Sequence, residues 1–450
     1  MKRSILMAGA MFAALAVSAG GASMAQQPAA SKAPAKAAPK AASTAAPKSA
    51  AAPARAAAGT PAAHMLMGVN CDAPPAYHCP DEMCDSSIIT QPGNTVEMKT
   101  RRTYFLDCPT GYKPGDKVNV VLSLHGAGSY ANWNRMYFPA VDVKDKYKLV
   151  IITPGSPTRT WSEADDDYLH NIVDDVVGTV GKKNVEHFIL DGHSQGGITA
   201  TRLVCTPYFR DKVDVKVSLS GGRLGPSTPA NRGFGGAGGG DQRPIYQQDP
   251  KNPPPAAPAR GGGRGPAQGG APGGAPGGRG GAPAAAAPVG GDCDYSYIFS
   301  NGEFESIPGD TSPIADKYHC GKRVRQADVI DPKKGYVWDS SRQDAGSDGW
   351  GHYPRSGRAQ VYVFPKCNDG RVVADVVKLG KGHTEGYEPN ITEKIIALAV
   401  SAKGGKIKIG AWDPPAPPPA PTGLGIPGAN PGARGPAAPA PARAGAAQPK

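Results

Sequence analysis

Residues 184–199 read NVEHFILDGHSQGGIT, in which a predicted buried strand runs into Gly-His-Ser-Gln-Gly-Gly and then into a predicted helix. The G-x-S-x-G pattern in this setting is typical of a sharp turn that exposes a serine hydroxyl at the end of a strand. The helix directs its first amide groups to the same place, where they can stabilise a negatively charged oxygen. We therefore predict Ser194 as a nucleophile and the amide of Gln195 as one oxyanion donor. In a chain with 60 glycines the pattern alone is weak, so its context decides.

A second motif precedes the serine turn. Another predicted buried strand, 118–124, ends in His125-Gly126-Ala127-Gly128. A buried strand that ends in His-Gly is where the other oxyanion donor of such a site is found, so the amide of Ala127 is predicted to supply it. Taken alone, HGAG is equally consistent with a flexible turn after a parallel strand.

A serine nucleophile needs a general base and a carboxylate that orients the base, here in the chain order serine, acid, histidine. His383 follows the predicted late strand 372–379, within a glycine-flanked loop, and is the predicted base. Three carboxylates, those of Glu303, Glu305 and Asp310, follow the predicted strand 295–300. Glu305 is preferred as the acid because of its spacing from Gly302. The other two remain alternatives, since each of the three could instead be solvated or cap a helix.

At these motifs the chain resembles the α/β-hydrolase superfamily and, more narrowly, the secreted polyhydroxybutyrate depolymerase and feruloyl esterase family. The resemblance covers about residues 102–402 and rests on four stretches, which are RTYFLDCP (102–109), LHGAG (124–128), GHSQGG (192–197), and CNDGRVV (367–373) with GKGHTEG (380–386). It implies ester hydrolysis and a disulfide between Cys320 and Cys367. Glu305 stands where the family usually has aspartate, and Lys381 stands where it commonly has glycine.

Composition predicts the domain organisation. Residues 1–25 combine Lys2 and Arg3 with a short apolar run and end in Ser-Met-Ala, which is typical of a cleavable signal peptide; a membrane anchor is the alternative. Residues 26–63 are almost wholly Ala, Pro, Lys and Ser, residues 226–290 are mainly Gly, Pro, Ala and Arg, and residues 414–450 are mainly Pro, Ala and Gly. None of these segments can bury enough apolar surface to fold. The catalytic domain is therefore predicted at 64–413, with 226–290 as a disordered low-complexity insertion.

The net charge of +12 belongs mostly to these low-complexity segments, so the predicted domain is close to neutral and nucleic acid is not a predicted partner. The basic tails could associate weakly with anionic polymers of the cell envelope, although a solvated spacer is the simpler interpretation.

Because the signal peptide predicts export to an oxidising compartment, the eight cysteines are expected to form disulfides. Cys71, Cys79, Cys84 and Cys108 are expected to pair among themselves, and Cys205 and Cys293 are then left as a possible pair. A zinc site made by the first four cysteines and His78 is the alternative, but their spacings match no standard zinc motif.

Strand patterns alternate with helical ones, which predicts an α/β fold with a mostly parallel central sheet and helices on both faces. The predicted strands are 118–124, 149–153, 188–190, 215–220, 295–300 and 372–379. A helix is predicted at 168–180, opened by Asp165, Asp166 and Asp167, and a closing helix at 391–401 with Asn390 as its cap. The three aspartates could be read as a calcium site, but carboxylates are favoured at a helix N-terminus without any metal.

Together these observations predict a monomeric serine carboxylesterase, secreted or periplasmic, that needs no metal or organic cofactor. Its substrate is a small or polymeric ester, such as a hydroxycinnamoyl (feruloyl) or polyhydroxyalkanoate ester. Trp161 and the sequence Trp350-Gly351-His352-Tyr353 are candidates for an aromatic pocket or for ordinary packing. The alternatives are an acyltransferase or peptidase with the same triad, and a catalytically silent protein that binds the cell envelope.

Overall fold

The computed structural model describes residues 64–80, 84–225, 227–229, 293–339 and 348–414. The predicted signal peptide (1–25), the tail 26–63, almost all of the insertion 226–290, and the tail 414–450 beyond its first residue lie outside these ranges.

The strands and helices are labelled here in chain order. The strands are β1 (Met65–Leu66), β2 (Val69–Asn70), β3 (Thr95–Val96), β4 (Thr103–Asp107), β5 (Val118–Leu124), β6 (Leu149–Pro154), β7 (Val185–His193), β8 (Val215–Leu219), β9 (Ser227–Pro229), β10 (Ser296–Gly302), β11 (Ser306–Pro308), β12 (Val324–Arg325), β13 (Val329–Asp331), β14 (Gly357–Phe364) and β15 (Val373–Lys378). The α-helices are α1 (Ser86–Ile89), α2 (Ala131–Tyr137), α3 (Asp166–Val180), α4 (Gln195–Leu203), α5 (Pro313–Lys317), α6 (Pro389–Val400) and α7 (Lys406–Ile409).

The main sheet has a parallel centre, with strands in the order β15-β10-β8-β7-β5-β6. Antiparallel strands complete both sides, with β14 beside β15 and β4 beside β6. Parallel strands need crossover connections, and helices in these connections cover the faces of the sheet. The carboxyl ends of the six central strands therefore meet along one edge, where ligands bind in open α/β sheets.

Alternation along β5 shows how the two faces are covered. Val120 and Leu122 point into the core that also contains the apolar side of α3, whereas Val121 points into the opposite core with α2 and α6. Successive side chains of a strand point to opposite faces, so an apolar run such as Val-Asn-Val-Val-Leu is buried on both. The predicted mostly parallel sheet with helices on both faces is confirmed.

The predicted helix cap at Asn390 is wrong. Helix α6 begins two residues earlier than predicted, at Pro389, and its cap is Glu388. Proline suits the first helical position, because its missing N–H would have no partner there. The carboxylate of Asp331, on β13, instead accepts hydrogen bonds from the amides of Asn390 and Ile391.

Two of the three aspartates at the start of α3 are paired with arginines. Asp165 lies 2.9 Å from Arg102, and Asp166 forms two hydrogen bonds of 2.6 Å with Arg202. The helix begins at Asp166, so these carboxylates also lie at the positive end of the helix dipole.

All eight cysteines are paired. The disulfides are Cys71–Cys108, Cys79–Cys84, Cys205–Cys293 and Cys320–Cys367. The last two are the predicted pairs, and the first four cysteines pair among themselves as expected. The zinc alternative is wrong, because the four N-terminal thiols are consumed and His78 instead contacts Asp142 at 2.6 Å. Four disulfides are typical of a protein in an oxidising compartment. Within the described ranges no helix is long and apolar enough to cross a membrane.

The start of the predicted disordered insertion is ordered. Strand β9 pairs with β11 in an antiparallel ribbon directly after the acid loop. Backbone hydrogen bonds, which do not depend on apolar side chains, can order such a short segment even in a sequence of low complexity.

Candidate active site

Ser194 lies at the turn between β7 and α4, with φ 52° and ψ −119°. A positive φ is unusual for a residue with a side chain, and such strain is found where surrounding structure enforces it. The turn is tight, because a Cβ on Gly192 would lie 2.3 Å from the carbonyl carbon of Gly196. Glycine at 192 and 196 therefore permits the turn that presents the serine hydroxyl.

Three of the predicted site residues meet in one chain of hydrogen bonds. Ser194 Oγ lies 2.9 Å from His383 Nε2, and His383 Nδ1 lies 2.7 Å from Glu305 Oε2. The side chains of His383 and Glu305 are only 8% and 9% exposed, so the contact between them is largely shielded from water. With the proton on Nδ1 directed at the carboxylate, Nε2 is free to accept the serine proton.

Hydrogen bonds to the second carboxylate oxygen hold Glu305 in place. Oε1 accepts hydrogen bonds of 2.7 Å from the Gly302 amide and 2.7 Å from the Ser220 hydroxyl. Burial acts to raise the pKa of Glu305, but His383 and these hydrogen bonds outweigh it and lower the pKa. The carboxylate is thus kept ionised, as needed to stabilise an imidazolium.

The other two candidate acids lie elsewhere. Glu303 accepts a 2.7 Å hydrogen bond from the amide of Gly380, at the start of the histidine loop. The side chain of Asp310 is 90% exposed and pairs with Arg323 at 3.2 Å. Neither contacts His383 in the described structure, so the loop after β10 brings only Glu305 to the base.

The two predicted oxyanion amides flank the serine. Gln195 is the first residue of α4, so its N–H has no acceptor within the helix. On the other side, a Cβ on Gly126 would lie 3.2 Å from Ser194 Cβ, which places the HGAG loop directly against the nucleophile. Ala127, next in that loop, is exposed.

His125 orients the Ala127 amide. Its Nε2 accepts from the Ser156 amide at 3.0 Å, so Nδ1 carries the proton and donates to the Gly126 carbonyl at 2.8 Å. Burial lowers the pKa of His125 to about 4, which keeps the ring neutral and this tautomer in place. Because the Gly126 carbonyl and the Ala127 N–H belong to one planar peptide group, fixing the carbonyl fixes the direction of the N–H.

Two residues that the sequence analysis missed hold the histidine loop. The carbonyl of His383 accepts from Tyr137 Oη at 2.9 Å and from His193 Nε2 at 3.1 Å. Burial lowers the pKa of His193 well below its usual range, so this ring stays neutral beside the base. His193 adjoins the serine, which was a usable signal, but nothing in the sequence marks Tyr137, which lies on α2.

The aromatic candidates separate into two roles. Trp161 is buried, and its Nε1 donates to the His125 carbonyl at 2.8 Å, so it packs behind the oxyanion loop. Trp350 is partly exposed, and its ring stands edge-on to that of His383 with 5.2 Å between centroids. Of these two tryptophans, Trp350 is the one whose ring borders the catalytic histidine candidate.

A buried cluster of charges lies under the histidine loop. Lys381 Nζ is 2.7 Å from Glu388 Oε1 and 3.4 Å from Glu385 Oε2, and all three side chains are at most 2% exposed. Lys378 lies over the ring of Tyr387 at 3.9 Å, and burial lowers its pKa to about 8. Removing one member of such a cluster leaves an uncompensated charge in a poorly solvated place.

We expect Lys381→Met to lower the free energy of unfolding by about 3–5 kcal/mol, because Glu385 and Glu388 lose their buried cation. Urea unfolding of the purified protein measures this. The matched control is Lys146→Met, since Lys146 is 60% exposed and pairs with Glu393 at the surface. Its expected cost is at most about 1 kcal/mol. Equal losses for the two variants would show that burial of the ion pair is not important.

Asp191, on β7 three residues before the nucleophile, is fully buried. One oxygen accepts from Ser123 Oγ at 2.6 Å, and the other has no hydrogen-bond partner within the described ranges. Burial raises the pKa of Asp191 from 3.8 to about 7, although the Ser123 hydrogen bond acts to lower it. The carboxyl therefore binds its proton more tightly in the folded protein than in the unfolded chain.

This linkage predicts a pH-dependent effect of Asp191→Asn. The stability from the neutral carboxyl is fully present below the unfolded pKa of 3.8 and is lost as pH rises through about 7. The Asn variant keeps the Ser123 acceptor but does not ionise. Its stability relative to wild type should rise by up to about 1.4 kcal/mol per pH unit between about pH 4 and neutrality, and then level off. Urea unfolding of both proteins at several pH values tests this; a constant difference would contradict it.

Comparison with known proteins gives distant likenesses. No model of a known protein family matches the chain. A protein named "Putative esterase/lipase 2" from Mycoplasma genitalium is 33% identical over 91 residues, which are 20% of this chain and 33% of that protein. The chain thus spans about one third of the length of this curated relative.

Among solved structures, an acetyl xylan esterase from Aspergillus awamori matches with a TM-score of 0.31 and 12% identity, over 67% of this chain and 94% of the other. The fluorophosphonate-binding serine hydrolase FphF from Staphylococcus aureus matches with a TM-score of 0.22 and 18% identity, over 27% of this chain and 52% of the other.

The fold assignment rests on the chain's own architecture. The serine lies at the turn after a central parallel strand, β7, and the acid and the histidine follow two later strands of the same sheet, β10 and β15. With helices on both faces and an antiparallel strand beside the first parallel ones, this arrangement is that of the α/β-hydrolases. The described part of the chain has the α/β-hydrolase fold.

Proposed function

We propose that this chain is a serine carboxylesterase that works through an acyl-enzyme. The observation that carries the proposal is the hydrogen-bonded chain from Ser194 through His383 to Glu305, at the carboxyl edge of the parallel strands. A hydroxyl alone is a weak nucleophile at neutral pH, and a neutral imidazole within hydrogen-bond reach is what activates it.

In the first half of the reaction, Ser194 Oγ attacks the ester carbonyl carbon while His383 Nε2 takes the hydroxyl proton. The carbonyl oxygen becomes an oxyanion, which accepts hydrogen bonds from the amides of Gln195 and Ala127. The imidazolium then gives its proton to the leaving alcohol oxygen as the bond from carbon to that oxygen breaks. The product is an ester between Ser194 and the acyl group.

In the second half, water replaces the alcohol. His383 takes a proton from the water, the resulting hydroxide attacks the acyl carbon, and the same two amides stabilise the second oxyanion. The proton returns to Ser194 Oγ as the acid leaves. Glu305 stays ionised throughout and stabilises the imidazolium formed in each half.

For the substrate, we propose a small or polymeric ester of the hydroxycinnamoyl or polyhydroxyalkanoate type. The partly exposed ring of Trp350 beside His383 supports an aromatic wall next to the reacting carbonyl. The experiment measures turnover by the purified protein of short-chain 4-nitrophenyl esters, methyl ferulate and polyhydroxybutyrate. The 4-nitroanilides that match the 4-nitrophenyl esters test for amide cleavage, and an added acceptor alcohol tests for acyl transfer.

Ester hydrolysis with no cleavage of the anilide supports the proposal. Faster amide than ester turnover would instead mark a peptidase, and transfer to the added alcohol in preference to water would mark an acyltransferase. No turnover of any of these compounds by a folded protein would favour the silent, envelope-binding alternative.

For the location, we propose export with removal of residues 1–25. The four disulfides support this, since they persist in oxidising compartments. The mature protein is expected to be a monomer that begins at Gln26. N-terminal sequencing of the protein recovered from the periplasm or medium tests the processing, and a retained Met1 in that material would contradict it.

A further inference from the structure

A basic cleft lies beside the oxyanion loop. It has a volume of about 320 Å³ and is lined by residues 90–93, 101–103, 129–131 and 155–157 together with His125 and Arg159. The segments 129–131 and 155–159 follow the carboxyl ends of β5 and β6, and residues 101–103 enter the antiparallel β4 from that same edge. The cleft therefore opens on the edge of the sheet that carries the proposed triad.

Three arginines line the basic cleft, and no acidic residue does. Arg102 is neutralised, because it pairs with Asp165 at 2.9 Å and stacks on the ring of Tyr168 at 3.7 Å. Arg101 is exposed, and its side chain donates a hydrogen bond to the sulfur of Met98 at 3.6 Å. Arg159 donates to Tyr130 Oη at 3.2 Å. Neither Arg101 nor Arg159 has a carboxylate partner within the described part of the chain, which leaves two unpaired positive charges.

The lining also holds hydrogen-bond donors without an acceptor. Ser129 is fully buried, and its hydroxyl has no partner among the described residues; the same holds for Nε of Arg102. Both residues line the cleft, but these two donor atoms are almost inaccessible to solvent, so a ligand in the cleft meets chiefly the charges of Arg101 and Arg159. Two unpaired positive charges in a cleft without acidic residues favour an anion.

The basic cleft and Ser194 are separated only by the oxyanion loop. A Cβ added to Gly126 would lie 3.2 Å from Ser194 Cβ, so Gly126 packs against the nucleophile. The preceding residue, His125, lines the cleft. Consecutive Cα atoms are about 3.8 Å apart, so a group about 10 Å from the reacting carbonyl reaches the cleft. The exposed Ala127 gives a path across the loop.

We propose that the basic cleft binds a carboxylate carried by the ester substrate, so that the enzyme prefers acidic esters, with Arg101 and Arg159 as the residues that determine this preference. The proposal rests on the esterase function proposed above and adds the substrate's charge to it. Guanidinium groups suit it, because they bind carboxylates in a planar, two-point geometry that also fixes orientation.

The test uses two matched pairs of esters, so that the charge can lie on either side of the scissile bond. The acyl pair is 4-nitrophenyl hemiazelate with 4-nitrophenyl decanoate, and the alcohol pair is 4-(carboxymethyl)phenyl acetate with 4-propylphenyl acetate. The readout is the ratio of kcat/KM for the charged ester to that for the neutral one. Comparing this ratio between variants cancels the intrinsic reactivity of each ester.

We expect the double variant Arg101→Gln, Arg159→Gln to lower the ratio about fivefold or more for one of the pairs, and high salt to lower it in the wild type. The double variant Arg101→Lys, Arg159→Lys keeps the charge and should restore most of the ratio. The control is Arg325→Gln, which removes an exposed arginine on β12, outside the cleft, and should leave the ratio unchanged.

Hydrolysis of both neutral esters with a ratio that the Gln variant does not change would overturn this inference and leave the proposed esterase function standing. An equal loss of the ratio in Arg325→Gln would also overturn it, because the preference would then come from overall charge. If folded wild-type protein hydrolyses none of the four esters, the proposed function itself fails, and this inference fails with it.

Discussion

Replacing Ser194 with alanine is expected to abolish ester turnover, lowering kcat by a factor on the order of 10⁶, because the covalent route through Oγ is lost. The fold should persist. Alanine tolerates the positive φ of this turn about as well as serine does, and the lost hydrogen bond to His383 is worth about 1 kcal/mol. Initial rates on a 4-nitrophenyl ester and a thermal unfolding curve measure the two effects.

A fluorophosphonate probe gives an independent check that needs no knowledge of the natural ester. An activated serine attacks the phosphorus and releases fluoride, so mass spectrometry should find the adduct on the peptide with Ser194 in the wild type only. Turnover by Ser194→Ala within tenfold of wild type, in a preparation free of other esterases, would refute the assignment of the nucleophile.

Replacing Glu305 with glutamine is expected to lower kcat by about 10⁴ while leaving the protein folded. The Gly302 amide and Ser220 hydroxyl both donate to Oε1, so the glutamine carbonyl oxygen should take that position and turn its NH₂ group towards His383. Nδ1 would then have to accept, which moves the imidazole proton to Nε2. That tautomer cannot take a proton from Ser194.

Two substitutions in the same loop are the controls. Glu303→Gln and Asp310→Asn remove the same charge from residues that do not contact the base, so we expect each to change kcat by less than about tenfold. A loss for Glu303→Gln as large as that for Glu305→Gln would mean that the acid of the working enzyme is Glu303. Steady-state kinetics of the three variants on one ester decide this.

The sequence alone sufficed for features encoded over short stretches. The turn at Ser194 depends on glycines two residues to either side, and the six central strands appear as apolar runs of β-forming residues; both were predicted from neighbouring residues. The chain order of Ser194, an acid and His383 was also visible, because each follows a predicted strand and the carboxyl ends of parallel strands meet at one edge. The pair Cys320–Cys367 followed from the family resemblance and Cys205–Cys293 from elimination, whereas the pairing within the first four cysteines was left open.

Features set by contacts distant in the chain could be assigned only from the tertiary structure. The spacing from Gly302 favoured Glu305 but left Glu303 and Asp310 open, and the choice depends on which carboxylate the loop after β10 directs at a base 78 residues away. Helix α6 takes its cap acceptor from Asp331, about 60 residues earlier, so the local signal at Asn390 misled. The support of His383 by Tyr137 and the pairing of Lys381 with Glu388 likewise leave no local pattern. Local backbone preferences are properties of a few neighbouring residues. A buried polar group instead takes whichever partner the packed core brings within hydrogen-bond reach, and this partner is determined only when the whole sheet and its helices have assembled.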